Sequence, residues 1–247
     1  MTYQMTVSPD FAPEYIAGWY IFNTWLQKEL GESIHLELYA DFDSQREAIR
    51  NGRVDIIYAN PFDASMLIRE KGFTALVRPT NKSDEAVVVV NAQNPATAVE
   101  ELPSTARIAS TDDPDVHLMG MMMVEPADLD ESNTERQVVD SYVLVAKRLI
   151  QGNADVGFFL KEAFDGLSRF TREQLKVLVE SEISLIHHSL LVGPRLAPQA
   201  EQIRELILNM FADPKGAGVL KSLNFEGAMA VDQEDAEFMI DLMDTLG

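Results

Sequence analysis

Apolar and polar positions follow two alternating periods along the chain. Residues 3–8 are predicted to form a short strand, and residues 54–59 are a mainly apolar run typical of a buried strand. Residues 14–30 instead carry apolar side chains at helical spacing and stop at Gly31. The alternation continues to a final amphipathic segment at 232–246. It predicts βαβ units, and therefore an α/β fold of mainly parallel sheet covered by helices.

The same pattern locates the remaining elements. Polar, acidic residues 126–136 are expected to form a loop, and His35 is expected at the surface. Further strands are predicted at 34–40, 73–78, 85–91, 107–110, 154–159, 176–180 and 185–192.

The order of these elements predicts two lobes. Residues 1–84 plus 192–247 are expected to form a discontinuous outer lobe, and residues 92–183 an inserted lobe. Residues 85–91 and 184–191 would then be hinge strands. Carboxyl ends of parallel strands line ligand clefts in such sheets, and a two-strand hinge permits closure.

The charge of the chain changes the list of partners. Forty acidic residues against 20 basic ones give a formal net charge of −20. An acidic protein of this kind repels nucleic acid and anionic lipid, so neither is expected as a partner. The chain has no cysteine, which excludes disulfides, thiolate metal sites and a cysteine nucleophile.

Targeting signals are missing from the sequence. The first residues lack a basic region followed by an apolar one, and no run of 18 apolar residues predicts insertion into a membrane. The chain as written is expected to be cytoplasmic, and it would be periplasmic if a leader has been removed. Both localisations stay open.

Four segments resemble one protein family. Asp41-Phe42 followed by the segment Gly52 to Pro61, the turn beginning at Ser110, the segment Gly152 to Gly157, and the return segment 180–188 occur in the family's order. Together they resemble the phosphonate- and phosphite-binding proteins of ABC transporters, over residues 5 to 225. The resemblance implies the type II periplasmic-binding-protein fold. It also implies ligand capture in a cleft without chemistry, and delivery to a membrane permease.

The chain departs from the family at its anion-binding turn. In the family a serine- and threonine-rich turn opens a helix that holds phosphonate oxygens. Here Asp112, Asp113 and Asp115 crowd that turn, and either Asp113 or Asp115 would serve as a helix cap. The family's acidic residue for a ligand amine aligns with His188. The expected ligand is therefore a small polar or anionic molecule that need not be a phosphonate.

The candidate ligand-binding residues come from three parts of the chain. For the aromatic residues the alternative is core packing, and for the histidines it is a structural role. Lys161 is the cation expected to offset the acidic turn. The candidates are Asp10, Phe11, Asp41, Phe42 and Asn60, then Ser110, Thr111, Asp112 and Tyr142, and finally His187 and His188.

The sequence indicates a binding protein rather than an enzyme. No cofactor is expected, and no metal, because the histidines fit no short metal-binding spacing. The expected partner is an ABC permease or a regulatory protein. The alternatives are a cytoplasmic ligand sensor, a small-molecule enzyme that uses His187 or His188 as its base, and a protein-interaction module. No short catalytic motif supports the enzyme.

Overall fold

The computed structural model describes residues 2–246. Its strands are β1 (Thr2–Val7), β2 (Ser33–Leu36), β3 (Ile56–Ala59), β4 (Thr74–Pro79), β5 (Ala86–Asn91), β6 (Ala106–Ser110), β7 (Thr134–Val138), β8 (Val156–Leu160), β9 (Leu175–Glu180), β10 (Ser189–Val192) and β11 (Ala228–Ala230). Its helices are α1 (Ile16–Leu30), α2 (Phe42–Arg50), α3 (Pro61–Arg69), α4 (Pro114–Val124), α5 (Tyr142–Ile150), α6 (Lys161–Asp165), α7 (Arg169–Arg172), α8 (Ala200–Leu208), α9 (Pro214–Ser222) and α10 (Gln233–Leu246). Among the described residues, no helix is both long and apolar enough to cross a bilayer.

The chain divides into two compact units. The first unit contains residues 2–83 and 187–245, and the second contains residues 84–186. The first has a six-stranded sheet in the order β11-β4-β10-β3-β1-β2, and the second a five-stranded sheet in the order β7-β6-β8-β5-β9.

Both sheets are mixed rather than mainly parallel. β1 pairs in parallel with β2 and β3, and β6 pairs in parallel with β7 and β8. The other pairs, which involve β10, β11 and β5, are antiparallel. The α/β class is confirmed, and the expected dominance of parallel pairing is corrected. The physical reason is that β10 enters the first sheet between β3 and β4 in the opposite direction, a pairing that needs no crossover helix.

Helices cover both faces of the first sheet. α1, α8 and α9 contribute Trp19, Phe22, Ile203, Ile207 and Leu220 to one buried cluster. α2, α3 and α10 supply the cluster on the opposite face. In the second unit α5 and α6 pack with Phe159. There α4 packs close to the neighbouring Phe158, because a Cβ atom added at Gly120 would lie 2.3 Å from that ring.

The signature motifs of the two units have a structural role. Gly52 and Gly152 adopt φ values of 65° and 69°, a left-handed conformation that favours glycine. Three residues later, Asp55 accepts a hydrogen bond from the Gln4 backbone N–H at 2.8 Å. Asp155 accepts the equivalent bond from the Arg107 N–H at 2.9 Å. Each aspartate therefore ties the start of one strand to its neighbour.

Some predicted elements differ from the structure, among them the strand predicted at 34–40, which ends at Leu36. Residues 134–136, the end of the predicted loop, belong to β7 at the edge of the second sheet, where solvent exposure removes the apolar signal that marks inner strands. The strand predicted at 185–192 is shorter and begins at Ser189. The segment 85–91, interpreted as a hinge strand, is an inner strand of the second sheet, where its valine run is buried. The chain passes between the units after residues 83 and 186.

Candidate functional site

Polar side chains gather at one edge of the first sheet. Asp10 follows β1, and Asn60 follows the adjacent parallel strand β3. His188 precedes β10, whose first residue Ser189 pairs with Ala59 at the end of β3. The topology therefore brings these three predicted residues to the same edge. We call these three residues, together with Asp63 in the first turn of α3, the polar edge.

Asp10 and His188 form a buried pair at this edge. The Nε2 atom of His188 lies 3.0 Å from Oδ2 of Asp10, and the two side chains are 12% and 5% exposed. The His188 ring also stacks on Tyr58, with ring centroids 5.2 Å apart. Burial opposes ionisation of Asp10, but the charge and hydrogen bond of His188 outweigh it and lower the pKa of Asp10. The pair holds the imidazole in one orientation.

Asn60 is completely buried at the start of α3. Its side-chain oxygen caps the helix by accepting a hydrogen bond from the Asp63 N–H at 2.8 Å. Its amide nitrogen Nδ2 has no hydrogen-bond partner within residues 2–246. An unsatisfied buried donor is rare in native proteins and requires a reason. A bound molecule with an acceptor atom would satisfy it.

Sequence reasoning missed the ion pair between Arg46 and Asp63. Nε of Arg46 lies 2.6 Å from Oδ1 of Asp63, and Nη2 lies 3.2 Å from Oδ2. The guanidinium also lies 5.1 Å from the ring centroids of both Phe42 and Phe62. Burial raises the pKa of Asp63 despite the bonds from Arg46. The Phe42-to-Arg46 spacing of four residues is the sequence signal that could have indicated this cluster.

The other predicted residues of the first unit have mainly structural roles. Asp41 is exposed and caps α2 by accepting the Ser44 N–H at 2.7 Å, which lowers its pKa. Phe11 packs against the buried core, and Phe42 is itself buried. His187 is buried, with Nδ1 3.0 Å from the Ser189 hydroxyl. Of the histidine pair, His188 is the one at the polar edge.

The second unit carries the acidic turn, residues 110–115, between β6 and α4. Asp113 caps α4, as one of the sequence interpretations expected: its Oδ1 atom accepts the N–H groups of Asp115 at 3.0 Å and Val116 at 3.2 Å. Its Oδ2 atom accepts the hydroxyl of Tyr142 at 3.0 Å. Both carboxylate oxygens of Asp113 are thus used, and two amides of the helix terminus are occupied by the protein itself.

A buried hydroxyl of the same turn is unsatisfied. Thr111 is 7% exposed, and its Oγ1 atom has no hydrogen-bond partner in the described part of the chain. Asp112, beside it, is exposed. The cation of this turn is Arg136 on β7, which donates from Nε to the Ser110 hydroxyl at 3.1 Å and from Nη2 to the Thr111 carbonyl at 3.0 Å.

Arg136 replaces Lys161 as the cation at the acidic turn. Lys161 forms ion pairs with Glu180 at 2.9 Å and with Asp165 at 3.3 Å. Arg136 was missed because it belongs to the polar edge strand that resembled a loop. In the first turn of α4, burial and the charge of Arg136 lower the pKa of His117 to about 4. This imidazole is therefore neutral at pH 7.

A separate apolar cavity lies inside the first unit. Its empty space of about 360 Å³ includes open solvent, and its walls are largely apolar. Trp19, Phe22, Leu220 and Phe225 line it, together with Tyr58, the residue that stacks on His188. Such a cavity offers almost nothing to a polar ligand. The hydrogen-bonding groups lie instead at the polar edge and in the acidic turn.

One protein family matches most of the chain. Residues 5–236 match the family described as ABC transporter, phosphonate, periplasmic substrate-binding protein. No curated protein sequence matches the chain. The family is one of transport binding proteins rather than enzymes, and these comparisons do not support the sensor or enzyme alternatives.

Solved structures share the fold at low sequence identity. PhnD1 from Prochlorococcus marinus, in complex with methylphosphonate, has a TM-score of 0.83 and 12% identity, covering 99% of this chain and 98% of its own. The protein XAC2383 from Xanthomonas citri, bound to chloride, has a TM-score of 0.81 and 16% identity, covering 99% and 97%. The aliphatic sulphonate binding protein SsuA from Escherichia coli has a TM-score of 0.69 and 14% identity, covering 99% and 91%.

The sequence match and the fold agree. Each unit has the mixed, helix-covered sheet of type II periplasmic binding proteins, and the motifs that carry the resemblance stabilise the starts of β3 and β8. The chain therefore belongs to the family of phosphonate-type substrate-binding proteins of ABC transporters.

Proposed function

We propose that this protein captures a small polar ligand by closure of its two units and delivers it to an ABC permease. One observation carries the proposal. Among the buried polar atoms that lack a hydrogen-bond partner within residues 2–246, each unit has one at the carboxyl end of a parallel strand that precedes a helix: Nδ2 of Asn60 after β3 and Oγ1 of Thr111 after β6. Leaving such a group unpaired costs about 1–3 kcal/mol, which a ligand that bonds to it would recover.

The chemistry of the polar edge also supports a binding role. The Asp10–His188 pair presents an oriented imidazole, and Asn60 offers an amide donor. Together with the Thr111 hydroxyl, these groups can satisfy a ligand that has both donors and acceptors. Binding that favours the closed arrangement shifts the equilibrium between open and closed units, and a permease recognises the result.

A thermal-shift screen tests the proposal. The panel contains phosphonates, phosphate, phosphite, sulfonates, carboxylates, amines and divalent metal ions. A ligand at about 100 times its Kd adds about 2.7 kcal/mol to the free energy of unfolding, which raises the Tm by several degrees. A panel without any stabilising compound contradicts the proposal and favours the interaction module.

Two variants test whether a ligand found in the screen binds to Thr111 and Asn60. Thr111→Val removes the unsatisfied hydroxyl, so we expect the free protein to gain about 1 kcal/mol of stability while the ligand binds more weakly. Asn60→Ser keeps a capping oxygen for α3 but removes the Nδ2 donor, and weaker binding is expected again. Thr74→Val is the matched control, because Thr74 begins β4 at the opposite edge of the first sheet. Unchanged affinity in both test variants would exclude these groups from the site.

A further inference from the structure

The acidic turn carries a negative charge, which is unfavourable in a site that binds anions. Its three carboxylates, from Asp112, Asp113 and Asp115, are opposed by the single guanidinium of Arg136. Glu131 adds a further negative charge close enough to act on Arg136. His117 is neutral at pH 7 and adds no positive charge. The turn is therefore strongly negative, within a chain whose net charge is −20.

The helix terminus in this turn is also occupied. A helix N-terminus binds anions because its first N–H groups lack partners. Here Oδ1 of Asp113 already accepts two of them, from Asp115 and Val116. An incoming phosphonate would have to displace a carboxylate fixed in the same chain and approach two more. Both effects weaken the binding of a dianion.

A second observation indicates that the turn still contacts a ligand. The Thr111 hydroxyl is buried and lacks a partner within the described residues, although it directly precedes the acidic residues. A hydroxyl oxygen has two lone pairs and accepts hydrogen bonds from an ammonium group. Asp112 is exposed beside it, so its carboxylate is available to a solute.

We propose that the acidic turn takes the cationic group of the ligand, so that this protein binds a small organic amine or ammonium compound instead of a phosphonate. The inference rests on the proposed function, because it names the ligand class of the same site. Thr111 accepts a hydrogen bond from the cationic group, and Asp112 attracts it electrostatically. Asp113 excludes anions by occupying the helix terminus.

The first test compares probes of opposite charge on the full chain. Ethanolamine and putrescine are the cationic probes, methylphosphonate and inorganic phosphate the anionic ones, and calcium and magnesium the metal ions. We expect a cationic organic probe to raise the Tm by several degrees and the anions to leave it unchanged. Tighter binding of methylphosphonate, or stabilisation by the metal ions alone, overturns the inference and leaves the proposed function standing. No shift with any of these probes overturns the inference, and no shift with the wider panel described above overturns the proposed function as well.

Two variants, with one control, test whether the acidic turn determines the selectivity for cations over anions. Asp112→Asn is expected to weaken binding of the cationic probe about threefold to tenfold, since it removes one partly solvated charge. Glu125→Gln makes the same change of charge at the other end of α4, and its affinity should match the wild type. Asp113→Asn keeps a capping oxygen but loses the charge, and is expected to increase the affinity for methylphosphonate. If Asp112→Asn and Glu125→Gln weaken binding of the cationic probe equally, the effect comes from the net charge of the protein, and the proposed role of the acidic turn is overturned.

Discussion

At the polar edge of the first unit, buried acids have basic partners: Asp10 pairs with His188 and Asp63 with Arg46. In the acidic turn of the second unit, three aspartates share one arginine, and Asp113 is satisfied by amides and a tyrosine hydroxyl instead. The first arrangement is close to neutral and its geometry is fixed by ion pairs. The second keeps an excess of negative charge, which is unfavourable for folding alone and therefore points to a role in binding.

The two regions should also respond differently to acid. Burial raises the pKa of Asp63, so its protonation favours the folded first unit as the pH falls. The pKa of His117 is lowered, so its protonation opposes folding of the second unit. The contrast between the units can therefore be examined by substitutions that remove one charge at a time.

The largest effect is expected from Arg46→Ala. It leaves the Asp63 carboxylate, which is 3% exposed, without its cation. Because Arg46 itself is 21% exposed, we expect a loss of about 2–3 kcal/mol, below the range for fully buried pairs. Urea unfolding followed by tryptophan fluorescence measures it, since both tryptophans, Trp19 and Trp25, lie in α1.

The pH dependence of Arg46→Ala sharpens this prediction. Without Arg46 the pKa of Asp63 rises further, so the variant should regain stability relative to the wild type as the pH falls from 7 towards about 4. Arg50→Ala on the same helix is the control, because Arg50 is exposed, and it should change stability by less than about 0.5 kcal/mol. Equal effects of the two substitutions would contradict the importance of the ion pair.

The next effect concerns His117. Its pKa is about 4 in the folded protein against 6.5 for the ordinary side chain, so the folded state binds fewer protons between these values. Stability is therefore lost as the pH falls from 6.5 to about 4, and we expect about 1–2 kcal/mol after allowing for partial solvation. His117→Gln should remove this loss.

Hydrogen exchange of β6 and β8 measures the His117 effect in the second unit, which contains no tryptophan. The exposed histidine of β2 provides the control: His35→Gln should leave the pH dependence of these amides unchanged. If hydrogen exchange of these amides depends on pH in the same way in the wild type and in His117→Gln, the two units do not differ in their response to acid as we expect.

The smallest effect is expected from Arg69→Ala. The Arg69 guanidinium contacts Glu237 at 3.1 Å, Asp241 at 2.6 Å and Asp244 at 2.8 Å, all on α10. These groups are solvated, so we expect the Tm to fall by only about 1–2 °C at low salt. The difference from wild type should vanish in high salt, where exposed charges are screened. A loss that persists in salt would show that packing, rather than charge, holds α10.

Much of the fold was accessible from the sequence because apolar periodicity reports burial. The inner strands β3, β5 and β8 and the helices that begin with a capping residue follow from it directly. β7 was missed because an edge strand is exposed and need not be apolar. The direction of β10 could not be read, since a strand has the same pattern in parallel and antiparallel pairs.

The candidate site was accessible only in part. Asp10 and Asn60 could be predicted because residues that follow parallel strands meet at one edge, and His188 because it aligns with the family's acidic residue for a ligand amine. Arg136 could not, and the Phe42-to-Arg46 spacing indicates a contact on α2 but not the pairing with Asp63, because a surface cation and a cation paired with a buried acid look alike in sequence. The choice between His187 and His188 depends on the pleat of the return segment, and the strand there begins one residue later, at Ser189.

The position of β10 between β3 and β4 has a consequence for synthesis of the protein. When β3 and β4 leave the ribosome, the strand that must join them has not been made, and it follows only after the whole second unit. The second unit is continuous in the chain, so we expect it to fold first, while the early part of the first sheet keeps unpaired strand edges. During that interval the nascent chain should depend most on chaperones. Truncation before Ser189 should yield a folded second unit attached to an aggregation-prone N-terminal segment.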